Sequence, residues 1–416
     1  MSNHLPDSWL RQALGCLVTV QGGNAFKSDD FCEQGIPVNR ISNIKSGVID
    51  LTEAVFAKES PSFSKFLALN GDVLVAMSGA TTGKIGRYRI DRPAYINQRV
   101  GRFVVKDKKS VSIDYIYHLS GAETFQAKLL IDAIGGAQPN ISNSSIEALT
   151  VDVPPIVEQQ KIASILTAVD EVIESTQAQI NKLKDLKTGM MQELLTKGIG
   201  HTEFKDSPVG RIPKEWKFVR FDEVVTKVGS GITPSGGSAV YTTTGVPFVR
   251  SQNVYQDGLR WDDVCFISKE QHQKMKNSQL KPRDVLLNIT GASIGRCYYL
   301  PDQFGEGNVN QHVCIIRCEH AQIQHIYLAH FINSDFGQKQ IMNLQAGGNR
   351  EGLNFQQIRA MELPLPPLDE QLEISNVILS IESNISKRTA KLNSLCRLKK
   401  SLMHDLLTGK VRVVSP

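Results

Sequence analysis

One long stretch of this chain occurs twice, and that duplication constrains the fold more than any other feature. Residues 154–196 correspond without a gap to residues 366–408, at a constant offset of 366 − 154 = 212. Each copy opens on Pro-Pro-x-x-Glu-Gln and closes on Leu-Leu-Thr. Because a shared offset over such a length does not arise by chance, the chain is interpreted as two copies of one unit.

Within both copies, apolar residues recur at alternating spacings of four and three, which predicts a helix with one apolar stripe. A helix of roughly 35 residues, at ~1.5 Å per residue, is ~50 Å long and exceeds an ordinary globular helix. Two such helices cover each other most simply as an intramolecular coiled coil. The alternative is that each helix lies on its own globular domain. The predicted seam and partner-facing residues are Ile162, Ile173, Leu183 and Leu194 in the first copy, and Ile374, Ile385, Leu395 and Leu406 in the second.

The segments that precede the two helices also correspond, but with an offset that drifts from 213 − 6 = 207 to 310 − 97 = 213. On this alignment Ile85-Gly86-Arg87 matches Ile294-Gly295-Arg296. Short β-rich runs between turn-forming residues, followed by helical stretches near 115–134 and 326–344, predict two α+β domains. The predicted order is a domain at 1–152, a helical spacer at 153–200, a linker at 201–212, a domain at 213–363 and a second spacer at 364–416.

Composition places the chain among folded proteins without membrane segments. Hydrophobic residues make up 41% and charged residues 21%, which favours packed cores over disorder. No signal pattern opens the chain and no uncharged apolar run approaches the ~18 residues of a membrane span, so a cytoplasmic protein is expected. Its 7 cysteines are expected to be reduced thiols.

Charge gives only a local hint of a partner. The net charge of +5 is weak evidence for nucleic acid. A run of basic residues is more informative, and it indicates either a patch that tracks phosphates or a solvated strand face. The run consists of Lys84, Arg87, Arg89, Arg92, Arg99 and Arg102.

Catalytic motifs do not emerge from the sequence. The stretch from Gly79 to Ile85 resembles a phosphate-binding loop, but it is one residue short and lacks the Ser or Thr that binds magnesium. It is therefore predicted to be a strand–turn–strand. His312, Cys314, Cys318 and His320 are metal-ligand residue types, yet a strand would spread them over about 26 Å, so no metal site is expected. We interpret the chain as non-catalytic.

The order of these features resembles that of the specificity (S) subunit of type I restriction–modification systems, over essentially the whole chain. The resemblance rests on the repeated Pro-Pro-x-x-Glu-Gln entry, the heptad helix that closes on Leu-Leu-Thr and the Pro-x-x-Trp that opens each domain. It also rests on Gly-Asp-Val-Leu at 71–74, from which the second copy departs with Pro282-Arg283-Asp284-Val285.

The resemblance implies an α+β chain in which two α/β target-recognition domains are separated by two long antiparallel helices, with a pseudo-two-fold internal repeat. Each domain would read one half of a bipartite, asymmetric site in double-stranded DNA. The helical regions would dock two methyltransferase (modification) subunits, and restriction/translocase subunits would join them. S-adenosylmethionine, ATP and Mg would belong to those partners, so this chain would hold no cofactor.

Candidate DNA-binding residues follow from comparing the two copies. Positions that both copies share should serve the fold, the phosphates or the partner, whereas loop positions that differ should discriminate bases. The phosphate or framework candidates are Arg40, Asn43, Arg87, Arg250, Asn253 and Arg296. The base-contact candidates are Thr81, Thr82, Lys84 and Arg99 in the first copy, and Asn288, Ser293, His312, Asn349 and Arg350 in the second.

Two other classes of function stay open at this point. One is a non-catalytic coiled-coil scaffold with two ligand-binding domains that do not read DNA sequence, which the modest net charge permits. The other is an enzyme whose site has no recognised motif.

Overall fold

The computed structural model describes residues 5–45, 47–133, 140–234, 236–345 and 352–413, apart from the side chains of residues 132, 133 and 238. The chain divides into two compact units. Unit 1 comprises residues 1–177 and 390–416, and unit 2 comprises residues 178–389. The domain boundaries predicted from the sequence stay predictions, since each unit also includes part of both long helices.

Unit 1 is built from two mixed five-stranded sheets with helices packed on one of them. The larger core lies between the sheet β2-β11-β8-β9-β5 and helices α1, α2 and α3, and the second sheet has the order β3-β6-β4-β10-β7. The strands are β1 (Leu10–Ala13), β2 (Val18–Gly22), β3 (Phe31–Cys32), β4 (Ile36–Asn39), β5 (Gly47–Val48), β6 (Val55–Ala57), β7 (Leu67–Ala68), β8 (Val73–Ala76), β9 (Ile85–Arg87), β10 (Ala94–Ile96), β11 (Val100–Val105) and β12 (Thr150–Val153). The helices are α1 (Ile113–Gly121), α2 (Glu123–Ala133), α3 (Asn143–Ala148) and the start of α4 (Ile156–Lys197).

Unit 2 repeats this plan with a four-stranded sheet β16-β24-β21-β22 and a three-stranded sheet β20-β17-β23. The strands are β13 (Phe204–Ser207), β14 (Gly210–Pro213), β15 (Lys217–Arg220), β16 (Val225–Ser230), β17 (Val246–Val249), β18 (Val254–Tyr255), β19 (Gly258–Leu259), β20 (Cys265–Ile267), β21 (Val285–Asn288), β22 (Cys297–Tyr299), β23 (Asn308–Val309), β24 (Val313–Cys318) and β25 (Glu362–Leu365). The helices are α5 (Phe221–Val224), α6 (Lys269–Lys274), α7 (His325–Asn333), α8 (Asp335–Gln345), α9 (Phe355–Ala360) and α10 (Leu368–Leu407).

Each of the two shorter helices predicted near 115–134 and 326–344 is in fact a pair. Ala122 separates α1 from α2, and Ser334 separates α7 from α8, because both residues have extended backbone angles. The Ser334 hydroxyl then accepts a hydrogen bond from the Gly337 N–H and so caps α8. A single periodic stretch in the sequence therefore hides a turn that breaks it.

The two long helices α4 and α10 have 42 and 40 residues, more than the roughly 35 expected. In unit 1 their charged side chains meet where Asp170 bonds Lys399 at 2.5 Å, and in unit 2 where Lys187 bonds Glu382 at 2.7 Å. In unit 2 Arg388 also hydrogen-bonds Gln179. Between these two contacts the residue number falls from 187 to 179 along α4 and rises from 382 to 388 along α10. The helix segments within each unit are therefore antiparallel.

The predicted seam is buried at its ends and half-buried in its middle. Ile162 and Leu406 belong to the core of unit 1, and Leu194 and Ile374 belong to the core of unit 2. The remaining seam residues, Ile173, Leu183, Ile385 and Leu395, are only partly buried. A pair of helices cannot enclose its own contact line, so each domain core takes in the helix ends. The alternative of a helix lying on its own domain thus describes part of each helix.

The repeated Pro-Pro-x-x-Glu-Gln motif fixes the start of each long helix to the strand and helix beside it. The Gln159 side chain accepts the N–H of Ser112, which is the N-cap of α1, and donates to the Pro154 carbonyl. Gln371 does the same with Gln324, the N-cap of α7, and Pro366. These bonds satisfy end groups that a helix would otherwise leave unpaired.

The glutamate of the motif holds the tryptophan that opens each domain. Glu158 accepts a hydrogen bond from the buried Trp9 indole at 3.0 Å, and Glu370 accepts one from Trp216 at 2.8 Å. Burial raises the pKa of the Glu158 carboxyl, but hydrogen bonds from Arg412, Trp9 and the Val413 N–H outweigh it, and the pKa lies below its ordinary value. The two sequence motifs are thus two halves of one contact.

The stretches around Gly79 and Cys314 form the elements that the sequence predicts. The stretch around Gly79 is strand β8, a 3-10 turn over Gly79–Thr81 and strand β9, and Cys314 and Cys318 lie buried in strand β24. Among the described residues, no group of three or more His, Cys, Asp and Glu side chains is arranged to hold a metal ion. The described helices also include none that is both long and apolar enough to cross a membrane.

Candidate functional site

In unit 1, loops that are far apart in sequence converge into one loop cluster, made of residues 23–24, 39–43, 77–84, 97–99 and 140. Backbone hydrogen bonds join its parts: Asn97 N donates to Asn39 O, Met77 N donates to Arg99 O, and Asn140 pairs with Ser78. Gly23 allows its backbone to lie directly against residues 96 and 97, since a Cβ at position 23 would collide with their carbonyls.

Unit 2 has a matching loop cluster, made of residues 231–233, 249–253, 288–296, 310–312 and 352. Asn310 N donates to Val249 O, Ile289 N donates to His312 O, and Thr290 pairs with Gly352. The two clusters therefore share a backbone frame on which different side chains are mounted.

The two asparagines that both copies share belong to the frame. Asn43 and Asn253 are buried, and each accepts the backbone N–H of the preceding shared arginine, Arg40 or Arg250, at 2.9 Å. The Asn43 amide also donates to Asp50 O. The side-chain hydrogen bonds of both asparagines close turns of the backbone, so the geometry supports a framework role for both.

The two shared arginines, Arg40 and Arg250, differ in how firmly neighbouring residues hold their side chains. The Arg250 guanidinium donates to the Asp263 carbonyl at 3.0 Å and lies 5.9 Å from the ring centre of Tyr241. Arg40 is half-buried and its Nε has no hydrogen-bond partner among the described residues. Arg40 and Arg250 remain candidates for DNA contact, with Arg250 the more restrained of the two.

The structure corrects the alignment of Arg87 with Arg296. Gly83 N donates to Ala76 O and Gly295 N donates to Asn288 O, and both glycines have positive φ, +82° and +85°. The equivalence is therefore at 295 − 83 = 212, which pairs Arg296 with Lys84 and strand β9 with β22. The Ile-Gly-Arg letters shared by 85–87 and 294–296 are a coincidence of composition.

Three of the six residues in the basic run from Lys84 to Arg102 form ion pairs. Arg87 bonds Asp114 at 2.5 Å, Arg89 bonds Glu174 at 2.7 Å, and the half-buried Arg102 bonds Asp72 at 3.1 Å. Arg317 and Asp284 repeat the last of these pairs in unit 2. The geometry favours a structural role for these arginines, including the predicted Arg87, over a continuous phosphate patch.

Among the predicted base contacts, Arg99 and His312 occupy the same position of the frame. Arg99 is exposed and donates to the Asn140 side chain at 3.1 Å. His312 lies 2.6 Å from the Thr290 hydroxyl and 3.0 Å from the Gln311 amide nitrogen. Each of these side chains is held by neighbours, and their chemistry differs: the Arg99 guanidinium keeps further N–H donors, whereas both ring nitrogens of His312 are engaged.

Sequence reasoning missed the residues that hold those two positions. Asn140 lies 41 positions from Arg99, and Thr290 lies 22 positions from His312. Thr233 also reaches the network, through a hydrogen bond to Gln311. The only signal available was that Asn97-Gln98 recurs as Asn310-Gln311 immediately before the two positions that differ.

Lys84 is exposed, and the other predicted base contacts divide into three groups. Thr81 and Thr82 are half-buried and donate to the carbonyls of Ile41 and Gly79, and Ser293 is half-buried in the equivalent turn. Asn288 is fully buried and donates to Ser251 O, so the structure disfavours its predicted contact with a base. Asn349 and Arg350 lie outside the described residues.

The long helices carry a second repeated set of features. Leu186 in unit 2 and Leu398 in unit 1 are equivalent at 398 − 186 = 212, and each is 49% exposed. On the buried side, His118 lies near Asp170 and His330 near Glu382, both at 3.9 Å. Burial, aided by Lys399, Arg87 and Arg89, lowers the pKa of His118 to about 3, and burial lowers the pKa of His330 to about 4, so both rings are neutral.

Comparison with known proteins gives one consistent result. A family model described as type I restriction modification DNA specificity domain matches residues 6–185 and 213–396. A putative type I restriction enzyme MjaX specificity subunit from Methanocaldococcus jannaschii is 25% identical over 426 residues, covering 98% of this chain and 95% of that protein. The type I restriction enzyme EcoBI specificity subunit from Escherichia coli is 23% identical, covering 99% and 88%.

Solved structures agree on the fold. The S subunit of a type I restriction-modification system from M. genitalium superposes with a TM-score of 0.63 at 14% identity, covering 98% of this chain and 97% of that one. A chain from a study of assembly and conformational transition of a type I system superposes with a TM-score of 0.57 at 17% identity, covering 98% and 100%.

Proposed function

Because the chain belongs to the type I restriction modification DNA specificity family, we propose that it reads DNA sequence for a type I restriction–modification complex. The observation that carries this proposal is the pair of loop clusters, which share one backbone frame but differ in the side chains they expose. A common frame with differing polar groups is what reading two different half-sites of one bipartite, asymmetric site requires.

In each half-site, reading would depend on the position held by Arg99 in unit 1 and by His312 in unit 2. The Arg99 guanidinium suits the two acceptors on guanine in the major groove. His312 has one ring nitrogen against Thr290 and the other against Gln311, so it would reach a base by exchanging its bond to Gln311, and its preference would differ from that of a guanidinium. The differing chemistry at one equivalent position would make the two half-sites unlike.

Everything enzymatic would belong to partner subunits. The chain would scaffold two methyltransferase subunits, with restriction/translocase subunits joining that complex, in the cytoplasm. S-adenosylmethionine, ATP and Mg would be bound by those partners and not by this chain. Leu186 and Leu398 support two equivalent docking surfaces, since two copies of one partner need the same surface presented twice.

Mapping methylated adenines after co-expression with a candidate methyltransferase subunit tests the reading function. The expected result is one bipartite motif. Arg99→Ala should relax one half of that motif and His312→Ala the other half, each costing about 1–3 kcal/mol of discrimination. Arg11→Ala is the control, because Arg11 lies on β1 and pairs with Asp152. Methylation without a motif, or a change in both halves from one substitution, would refute the proposal and favour a scaffold that does not read DNA.

A separate experiment tests the docking surfaces. Leu186→Asp and Leu398→Asp each change an exposed leucine, so the fold should persist while one methyltransferase copy is lost from the complex. The double variant should lose both copies, as measured by native mass spectrometry. Leu69→Asp is the control, since Leu69 is 53% exposed and belongs to the loop before β8 and not to either long helix. Full assembly of the double variant would contradict these surfaces.

A further inference from the structure

We propose that Lys84 and Arg296 are equivalent phosphate contacts, one in each unit, that hold the DNA backbone irrespective of its sequence. This inference rests on the proposed function and deepens it. It assigns to Lys84 a role opposite to base discrimination, and it separates Arg296 from Arg87.

The first support is that the two residues occupy one position of the repeated frame. Lys84 O accepts the N–H of Ala76, and Arg296 O accepts the N–H of Asn288. Each follows a glycine with positive φ, and each comes immediately before the strand that pairs with β8 or β21. A basic side chain therefore stands at the same place in both loop clusters, whereas the neighbouring Arg99 position changes chemistry.

The second support is that these two charges are uncompensated. Within the described residues, neither Lys84 nor Arg296 has an acidic side chain within 4 Å. Around them, by contrast, Arg87 is paired with Asp114 and Arg260 with Asp257. Phosphates recruit basic groups that the protein leaves free, since a group already in an ion pair must first give up its partner.

The third support is that each charge faces an open recess at the edge of its loop cluster. Arg296 lines a recess with Tyr255, Gln256 and Asp257 of the β18–β19 hairpin, and its guanidinium carbon lies 4.6 Å from the centre of the Tyr255 ring. Stacking on a ring restrains a guanidinium while its edge stays available for hydrogen bonds to an anion.

Lys84 also borders a recess in unit 1, although its walls differ from those around Arg296. It is exposed, and the recess is lined by Gly47 of β5, by Tyr117 and Gln126 of α1 and α2, and by Met403 of α10. Gly47 belongs to β5, which follows the Asn43 turn as the β18–β19 hairpin follows the Asn253 turn. The recess also contains Lys399, but that ammonium is bound to Asp170, so Lys84 supplies the unpaired positive charge.

The test is the salt dependence of DNA binding by the full chain in complex with its methyltransferase subunit. The probes are a random-sequence duplex pool and the duplex identified by methylation mapping. Lys84→Ala and Arg296→Ala should each lower the slope of log K against log salt by about 0.9 on both probes, and the double variant by about twice as much. Lys84→Arg and Arg296→Lys keep the charge and should keep the slope. Arg220→Ala removes one charge from β15, where it pairs with Asp222, and is the control.

Three results would overturn the inference. An unchanged slope on the random pool means that the two charges do not touch phosphates. Weakening confined to the mapped duplex, with the slope retained, would make them base contacts. A lowered melting temperature with normal binding by the folded fraction would make them part of the frame. The proposed function fails separately, for example when the unaltered complex shows no preference for any sequence.

Discussion

The contact between Glu158 and Trp9 offers the sharpest perturbation of unit 1. Glu158→Ala removes the acceptor of a buried indole N–H and the two hydrogen bonds that Arg412 donates to this carboxylate, at 2.8 and 2.9 Å. Glu158→Gln keeps an oxygen that can accept from the indole but removes the charge. Glu370→Ala is the matched substitution in unit 2, where His201 stands in place of the arginine.

The magnitude follows from what each substitution leaves unpaired. A buried donor without an acceptor costs about 1–3 kcal/mol, and Trp9 is almost fully buried. The ion pair to Arg412 adds only about 1 kcal/mol, because the arginine side chain is 30% exposed and solvent screens it. We therefore expect a loss of about 2–4 kcal/mol for Glu158→Ala and of about 1 kcal/mol for Glu158→Gln.

Hydrogen exchange followed by mass spectrometry resolves this loss by segment. Since 1.4 kcal/mol is tenfold in an equilibrium, peptides that contain Trp9 should exchange roughly 30- to 700-fold faster in Glu158→Ala and about fivefold faster in Glu158→Gln. Peptides that contain Trp216 should change only in Glu370→Ala. Equal acceleration in both substitutions at position 158, or acceleration of the Trp216 peptides by Glu158→Ala, would refute this account of the contact.

Three further outcomes are expected. Leu183→Asp places a charge on the half-buried seam and should cost unit 2 about 1–2 kcal/mol in urea unfolding; unchanged unfolding and assembly would show that the stripe is not a packing face. Because the pKa of Glu158 is lowered in the folded chain, its contribution is complete above its unfolded pKa of about 4.3 and is lost as pH falls through the folded value. Glu158→Gln should flatten that acid dependence of hydrogen exchange in unit 1, and an unaltered pH profile would argue otherwise. Gly23→Val should disrupt the first loop cluster, with loss of one half of the methylation motif; a normal motif would show that the cluster tolerates a Cβ there.

The long helices were predictable because the same apolar spacing occurs in both copies of a repeat without gaps, so each copy supports the prediction made from the other. The contact partners within each domain were not, since hydrogen bonds such as that between Arg99 and Asn140 join residues that no local pattern connects. The motifs around Trp9 and Glu158 were visible as letters, but their sequence separation of 149 concealed that they bond to each other.

The loops were the weakest part of the prediction, for a physical reason. Their register is set by glycines such as Gly83 and Gly295, which adopt positive φ, and by the backbone bonds around them. Because residues 85–87 and 294–296 are both Ile-Gly-Arg, the sequence alignment matched them to each other and was shifted by three residues from the structural equivalence. Burial of Asn43 and Asn288 was equally hidden, since an asparagine that closes a turn and one that faces solvent are the same letter.

The ion pair between Asp170 and Lys399 restricts how the helices of unit 1 can move. Asp170 is almost fully enclosed, so a slide of one helical turn, about 5.4 Å, would strand a carboxylate away from water without its counter-charge. Lys187 and Glu382 form an ion pair between the helix segments of unit 2, but both side chains are 23% exposed, so the cost of separating them is smaller. Gradual sliding of the two helix segments of unit 1 past each other is therefore blocked, and any alternative register there must be reached in a single discrete step.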